Sequence, residues 1–124
     1  MISVRALSLI IVAASLSLPS VLVRAQDPVT ATPEIYKVLH ENDNIRILEL
    51  TYQPGQGENW HSHPRYFVYV VEAGKLQVEN DKGELREVDL KLGQHVLTGP
   101  ITKHRVKNLS DHTVRLLSIE LKRE

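Results

Sequence analysis

Two histidines separated by one residue are the part of this sequence best suited to chemistry. His61 and His63 flank Ser62, and residues i and i+2 of a β-strand point to the same face. Two imidazoles on a rigid strand can converge on one point, and neutral imidazole is the commonest metal ligand among side chains. A His-x-His pair alone is weak support for a metal site, and two surface histidines are the alternative.

The residues around this pair follow a recognisable spacing. Gly55 precedes His61 by five intervening residues, three residues separate His63 from Phe67, and six more lead to Gly74. This spacing resembles the first motif of the cupin family, G-x5-H-x-H-x(3,4)-E-x6-G.

A second spacing follows after a short gap, Lys75 to Leu92. Gly93 is followed by Gly99-Pro100-Ile101, then by His104 and, after three intervening residues, by Asn108. It resembles the second cupin motif, G-x5-P-x-G-x2-H-x3-N. With both motifs in order, residues 45–121 resemble a small bacterial cupin.

The resemblance implies a fold and a ligand set. The fold would be a small double-stranded β-helix, a jelly-roll-like antiparallel barrel. His61, His63 and His104 occupy the motif positions that hold a divalent transition metal, and the sequence does not distinguish Fe(II), Zn, Mn, Ni or Cu. Three imidazoles would leave coordination positions open for water, substrate or dioxygen.

Two departures from the family pattern bear on the metal. Phe67 stands where the first motif has its glutamate, so the site lacks an anionic ligand; affinity should fall and Lewis acidity should rise. The alternative hypothesis is a cupin that binds no metal. Glu58 and Gln56 precede His61 and could each supply an oxygen, but their Gly-rich turn favours solvated side chains. In the second motif Gly99 and Ile101 replace a proline and a glycine.

Four further residues are candidates for a substrate pocket. If Phe67 faces the barrel interior, strand alternation places Tyr69 there as well. Arg65 follows the histidine pair at a corner and could bind a substrate carboxylate. His95 lies on the strand before His104 and could reach the pocket. The sequence assigns no catalytic residue.

The elements that must position these residues are short strands. Turn-forming clusters of Gly, Pro, Asn and Asp recur every eight to twelve residues, and no segment after the N-terminal region has a convincing helical period. This pattern predicts an antiparallel β-sandwich or barrel without long helices. The predicted strands cover residues 34–40, 44–53, 66–72, 75–79, 84–90, 94–98, 103–108 and 113–121.

The N-terminal region is typical of a secretory signal. Arg5 precedes the apolar run Ala6 to Leu18, Pro19 interrupts it, and Ala25 provides a small residue for cleavage. We expect residues 1–25 to be removed, which predicts a periplasmic or secreted protein; a retained membrane anchor is the alternative. Residues 26–33 should then form a linker or N-terminal arm, followed by a domain over residues 34–124.

Composition narrows the function classes. The 124 residues hold 15 basic and 15 acidic side chains, a balance that argues against a nucleic-acid partner. The absence of cysteine removes disulfides, thiolate metal sites and cysteine nucleophiles. The resemblance leaves three hypotheses: a metalloenzyme, such as an iron-dependent dioxygenase, that acts on a small polar metabolite; a non-enzymatic module that binds a small ligand or a metal; or a metal-free descendant kept for binding. A homodimer is expected, because a small open barrel leaves strand edges to cover.

Overall fold

The computed structural model describes residues 26–123, which form nine strands and one short helix. The elements are α1 (Pro28–Ala31), β1 (Tyr36–Glu41), β2 (Ile45–Tyr52), β3 (His61–His63), β4 (Tyr66–Glu72), β5 (Gly74–Asn80), β6 (Leu85–Leu90), β7 (His95–Thr98), β8 (Ile101–Asn108) and β9 (Val114–Leu121).

The strands pair antiparallel into two sheets. One sheet has the order β1-β2-β9-β4-β7, and the other has the order β3-β8-β5-β6. β6 and β7 each pair with one neighbour among the described strands, so the pairings do not close into a ring. The predicted all-β antiparallel fold is confirmed, and the predicted strands match the observed ones to within about two residues at each end.

The apolar core lies between the two sheets. Alternation along β9 shows how the sequence builds it, because Val114, Leu116, Ser118 and Glu120 are buried while the residues between them are half-buried. The inner face is aliphatic at one end of β9 and polar at the other. That polar end lies beside the histidines. The core cluster comprises Ile35, Tyr36, Leu48, Leu50, Tyr52, Val70, Leu76, Val106, Val114 and Leu116.

Residues 26–33, predicted to be a linker or arm, pack against the chain's own β3. Asp27 caps the single turn of α1 by accepting a hydrogen bond from the Val29 amide, and Pro28 fits the first helical position. The Gln26 carbonyl accepts a hydrogen bond from the Ser62 amide. This segment therefore covers one edge of the four-stranded sheet rather than reaching outward.

The predicted signal segment, residues 1–25, lies outside the described residues. Over residues 26–123 there is no helix with the length and apolar character that a membrane crossing needs.

A glycine-dependent turn precedes the strand that carries His104. Gly99 has φ +100°, and a Cβ atom there would lie 2.9 Å from the Pro64 carbonyl oxygen. Only glycine fits both the dihedral angle and the close approach. The turn thereby packs the start of β8 against the corner that joins β3 to β4.

Candidate metal centre

The pairing of β3 with β8 brings the three motif histidines together. His61 lies opposite His104 in this antiparallel pair, while His63 lies opposite Ile101 after an irregularity in register. Because His61 and His63 are two residues apart on one strand, both rings project to the same side. The convergence predicted for these three residues is confirmed.

The three rings form a compact buried cluster. Their candidate ligand nitrogens all lie within 4.8 Å of one another. Ring centroids are 4.7 Å apart for His61 and His63 and 4.6 Å apart for His61 and His104. The residues are 0%, 6% and 7% exposed in chain order, so bulk water does not solvate the site.

Hydrogen bonds at the far side of two rings fix their tautomers. His61 Nδ1 lies 2.8 Å from the Asn59 carbonyl oxygen, and His63 Nδ1 lies 2.9 Å from Glu120 Oε1. Each of these nitrogens must donate its hydrogen, so each neutral ring has its lone pair on Nε2. The two Nε2 atoms are 2.9 Å apart. Facing lone pairs at this distance repel unless a cation lies against both, so the arrangement fits a metal ion.

His104 supports the same interpretation. Its Nε2 is buried and has no hydrogen-bond partner among residues 26–123, an arrangement that is costly for a polar atom without a ligand. Burial, followed by the neighbouring His61 and His63, lowers the pKa of His104 to about 3. Burial also lowers the pKa of His61, although Glu58 partly offsets this effect. Both rings are therefore neutral at pH 7, as metal ligation requires.

Glu58 is a buried carboxylate beside the histidines, and the prediction of a solvated loop side chain is wrong. It is 6% exposed, and Oε1 accepts hydrogen bonds from the hydroxyls of Tyr36 (2.5 Å) and Tyr52. Oε2 accepts a hydrogen bond from the Val106 amide at 2.9 Å and lies 3.6 Å from His61 Nε2. The Gly-rich turn gave no signal of this burial, because the partners come from distant strands.

The protonation states in this cluster follow from burial. Burial raises the pKa of Glu58, although His61 and the two tyrosine hydroxyls counteract it. Burial and mutual repulsion with Glu58 hold the pKa of Tyr36 and Tyr52 well above the usual value of 10. The tyrosines therefore stay protonated and donate to Glu58. Gln56, the other predicted oxygen donor, instead accepts from the Gln53 amide through its side-chain oxygen.

A second charged network holds His63 from the opposite side. Glu120 accepts from His63 through Oε1 and from Arg46 Nε through Oε2, at 2.9 Å and 2.7 Å. Arg46 also pairs with Asp27 at 2.5 Å, so the network reaches the cap of α1. Burial would lower the pKa of Arg46, but its two carboxylate partners raise it overall. A carboxylate behind a ligating imidazole orients the ring and increases its basicity.

A cavity of about 230 Å³ adjoins the cluster between the two sheets. His63 and His104 lie on its wall, together with Tyr36, Tyr52 and Tyr66. The rest of the wall is mainly aliphatic, with Leu50, Val68, Leu76, Val78, Val88, Leu90, Val96, Ile101, Val106 and Leu116, and it is completed by Arg86, Thr98 and Ser118.

The predicted orientation of Phe67 and Tyr69 is wrong. Tyr66, Val68 and Val70 point between the sheets, whereas Phe67 does not line the cavity and Tyr69 is 39% exposed. The chain passes from one sheet to the other at residues 64–65, so the alternation of β3 does not continue into β4. The interior aromatic residue of β4 is Tyr66, which the sequence reasoning missed.

The other two pocket candidates also lie outside the cavity. Arg65 is exposed at the corner after β3, where its carbonyl accepts from the Leu121 amide. His95 is exposed on the edge strand β7 and packs against Phe67, with ring centroids 5.8 Å apart. Asn108, the last residue of the second motif, is fully buried and donates to the carbonyls of Tyr52, Gln53 and His112. Its role is to hold turns together.

Comparison with known proteins decides the family. The sequence profile of the cupin domain matches residues 48–120, which is more than half of the chain. The chain is a cupin. The matched range includes His61, His63 and His104, so the cluster described above lies within the cupin domain.

Solved structures agree on the fold. A cupin domain from Bordetella pertussis Tohama I is 28% identical, with a TM-score of 0.67 over 72% of this chain and 93% of that chain. A Klebsiella pneumoniae protein with a double-stranded β-helix domain is 19% identical, with a TM-score of 0.60 over 71% and 76% of the two chains. An RmlC-like cupin from Methanocaldococcus jannaschii is 11% identical, with a TM-score of 0.59 over 70% and 78%. A search of curated proteins found no match.

Proposed function

We propose that this cupin is a metal-dependent enzyme that transforms a small molecule in the cavity between its sheets. The observation that carries the proposal is the convergence of three buried imidazoles, two of which, His63 and His104, line that cavity. A binding site that only stores a metal has no need of an adjoining cavity, whereas catalysis requires an open position beside a bound substrate.

The residues present fit a divalent transition metal. The Nε2 atoms of His61 and His63 face each other at 2.9 Å, and the Nε2 of His104 is buried without a hydrogen-bond partner in the described part of the chain. When bound, ferrous iron would supply dioxygen chemistry and zinc would supply Lewis-acid chemistry. The protein's own contribution is to keep His61 and His104 neutral, to orient His63 through Glu120, and to exclude bulk water.

Glu58 supplies the negative charge that the first motif lacks. Its Oε2 lies 3.6 Å from His61 Nε2, slightly more than the roughly 3.0–3.4 Å that separates adjacent ligands around one ion at about 2.1 Å. Two tyrosine hydroxyls hold Oε1, while Oε2 accepts from the Val106 amide on one side and lies near His61 on the other. In this proposal Glu58 is the carboxylate partner of the metal. A cupin that has lost its metal is therefore the less favoured alternative.

The proposal also includes the cellular location and the oligomeric state of the protein. The composition of residues 1–25 supports export to the periplasm or secretion. A homodimer is supported by the unpaired edge of β7, where Val96 and Leu97 are each 53% exposed. The segment 26–33 packs on its own chain, so we assign the dimer contact to β7 rather than to this segment.

Oxygen uptake is the direct test of the enzymatic proposal. Metal-free protein would be loaded with Fe(II) under argon and exposed to dioxygen with a panel of small aliphatic acids, alcohols and ketones. The proposal expects uptake that depends on one class of these compounds and disappears in His104→Ala. Metal-loaded protein that shows neither substrate-dependent uptake nor, with zinc, hydrolysis of any compound in an ester and lactone panel would favour the non-enzymatic binding module.

A further inference from the structure

An unpartnered hydroxyl faces the cavity next to the candidate metal centre. Ser118 is 1% exposed, lines the cavity, and its Oγ has no hydrogen-bond partner in the described part of the chain. It lies two residues before Glu120, on the same face of β9, with Leu48 and Val68 opposite it on the neighbouring strands. A buried hydroxyl without a partner is costly, so its retention among aliphatic residues points to a ligand that pairs with it.

An exposed arginine lies at the rim of the cavity on the opposite sheet. On β6 the alternate residues Arg86, Val88 and Leu90 line the cavity, while the residues between them do not. The guanidinium of Arg86 forms no ion pair within residues 26–123, and Arg86 is the cavity's single permanently charged wall residue in that range.

The carboxylates near Arg86 in sequence have other partners. Lys75 lies 3.8 Å from Glu87 and from Asp89, and the Asn80 side-chain amide donates to Glu84 at 2.6 Å. Arg86 therefore borders the cavity without a carboxylate partner among residues 26–123. A carboxylate is the ligand group that a guanidinium recognises best, through two parallel hydrogen bonds.

We propose that the cavity binds a small aliphatic carboxylic acid, with its carboxylate on Arg86 and an oxygen of the ligand on the Ser118 hydroxyl. The aliphatic wall receives the hydrocarbon body, and about 230 Å³ is less than the roughly 300–1,000 Å³ of sites for drug-sized ligands. This assignment deepens the proposed function, since it names the substrate class of the same cavity. It also replaces the polar metabolite expected from the sequence with a largely apolar one.

The test compares 6-hydroxyhexanoate and hexanoate with hexan-1-ol, by titration of the zinc-loaded protein followed by NMR. Both acids should bind at least about tenfold more tightly than the alcohol, and Arg86→Gln should remove that preference. Lys82→Gln, which removes an exposed charge from the turn of the same hairpin, is the matched control and should change nothing. Equal binding of acid and alcohol would overturn the assignment.

Ser118→Ala separates a ligand contact from a structural role. Removal of an unpartnered buried hydroxyl should leave the melting temperature of the ligand-free protein unchanged or raised, while hexanoate binding weakens about two- to tenfold. A lowered melting temperature with unchanged affinity would overturn the role of Ser118. An Arg86→Gln variant that self-associates but binds hexanoate normally would assign Arg86 to protection of the sheet edge instead.

Zinc content measured on the same samples keeps the two proposals apart. Protein that holds zinc but does not prefer acids contradicts only the substrate assignment. Protein that binds hexanoate but holds no zinc contradicts only the metal-dependent function.

Discussion

At the scale of single residues, Glu58 distinguishes this centre from the motif it resembles. A carboxylate buried beside His61 lowers the energy of a cation bound at the cluster, and Gln at this position keeps the size but removes the charge. We expect Glu58→Gln to weaken zinc binding by about 10–100-fold, measured by competition with a chromophoric chelator.

Glu84→Gln serves as the control for this variant, because Glu84 is exposed in the β5–β6 turn. Melting of the metal-free Glu58→Gln protein separates folding from affinity. Normal zinc affinity with a lowered melting temperature would mean that Glu58 is a structural partner of the tyrosines and not part of the metal centre.

The burial of His104 makes stability depend on pH. The folded chain keeps His104 neutral down to about pH 3, whereas an unfolded chain protonates histidine near pH 6.5. Below pH 6.5 the unfolded state therefore binds more protons, and the free energy of unfolding falls as pH falls, by roughly 1–2 kcal/mol between pH 7 and pH 5. Urea unfolding of metal-free protein should show this loss, and His104→Gln should reduce it. Equal pH slopes in both proteins would contradict the buried neutral state.

At the scale of elements, the turn before β8 couples folding to the metal centre. A methyl group at Gly99 would meet the Pro64 carbonyl oxygen at 2.9 Å, and Pro64 directly follows His63. Gly83 has a similar positive φ but open space around a Cβ atom. Both alanine variants should lose about 1 kcal/mol for the dihedral angle, and Gly99→Ala should lose more and bind zinc more weakly. Identical stability and affinity in the two variants would show that the turn does not position the site.

The strands show which features of the fold and of the site could be predicted from the sequence. Turn residues bounded the strands, and motif spacing placed His61, His63 and His104 on one centre, because both are local features of the chain. The sequence could not predict which residues of β4 point into the interior. The corner at residues 64–65 resets the alternation and turns Tyr66 inward instead of Phe67. Glu58 was missed for a related reason: its burial depends on Tyr36, Tyr52 and Val106, which only tertiary contacts bring near.

At the scale of the whole molecule, the unpaired edges make assembly testable. Leu97 and Leu85 are 53% and 60% exposed, on the edge strands β7 and β6. If β7 forms the dimer contact, Leu97→Glu should convert the dimer to a monomer in sedimentation velocity while Leu85→Glu does not, because a buried charge at the contact is costly. A wild-type monomer, or equal effects of both changes, would contradict this contact.

The proposed centre holds one divalent metal ion on His61, His63 and His104 together. Metal content can be measured by mass spectrometry, after dialysis against zinc, of protein purified without a nickel column. We expect about one zinc per chain in the wild type and in a variant with His40, His95 and His112 changed to alanine, because these three histidines are exposed and lie outside the cluster. We expect none in the variant with His61, His63 and His104 changed to alanine. Equal zinc content in the two triple variants, or none in a folded wild type, would contradict the proposed centre.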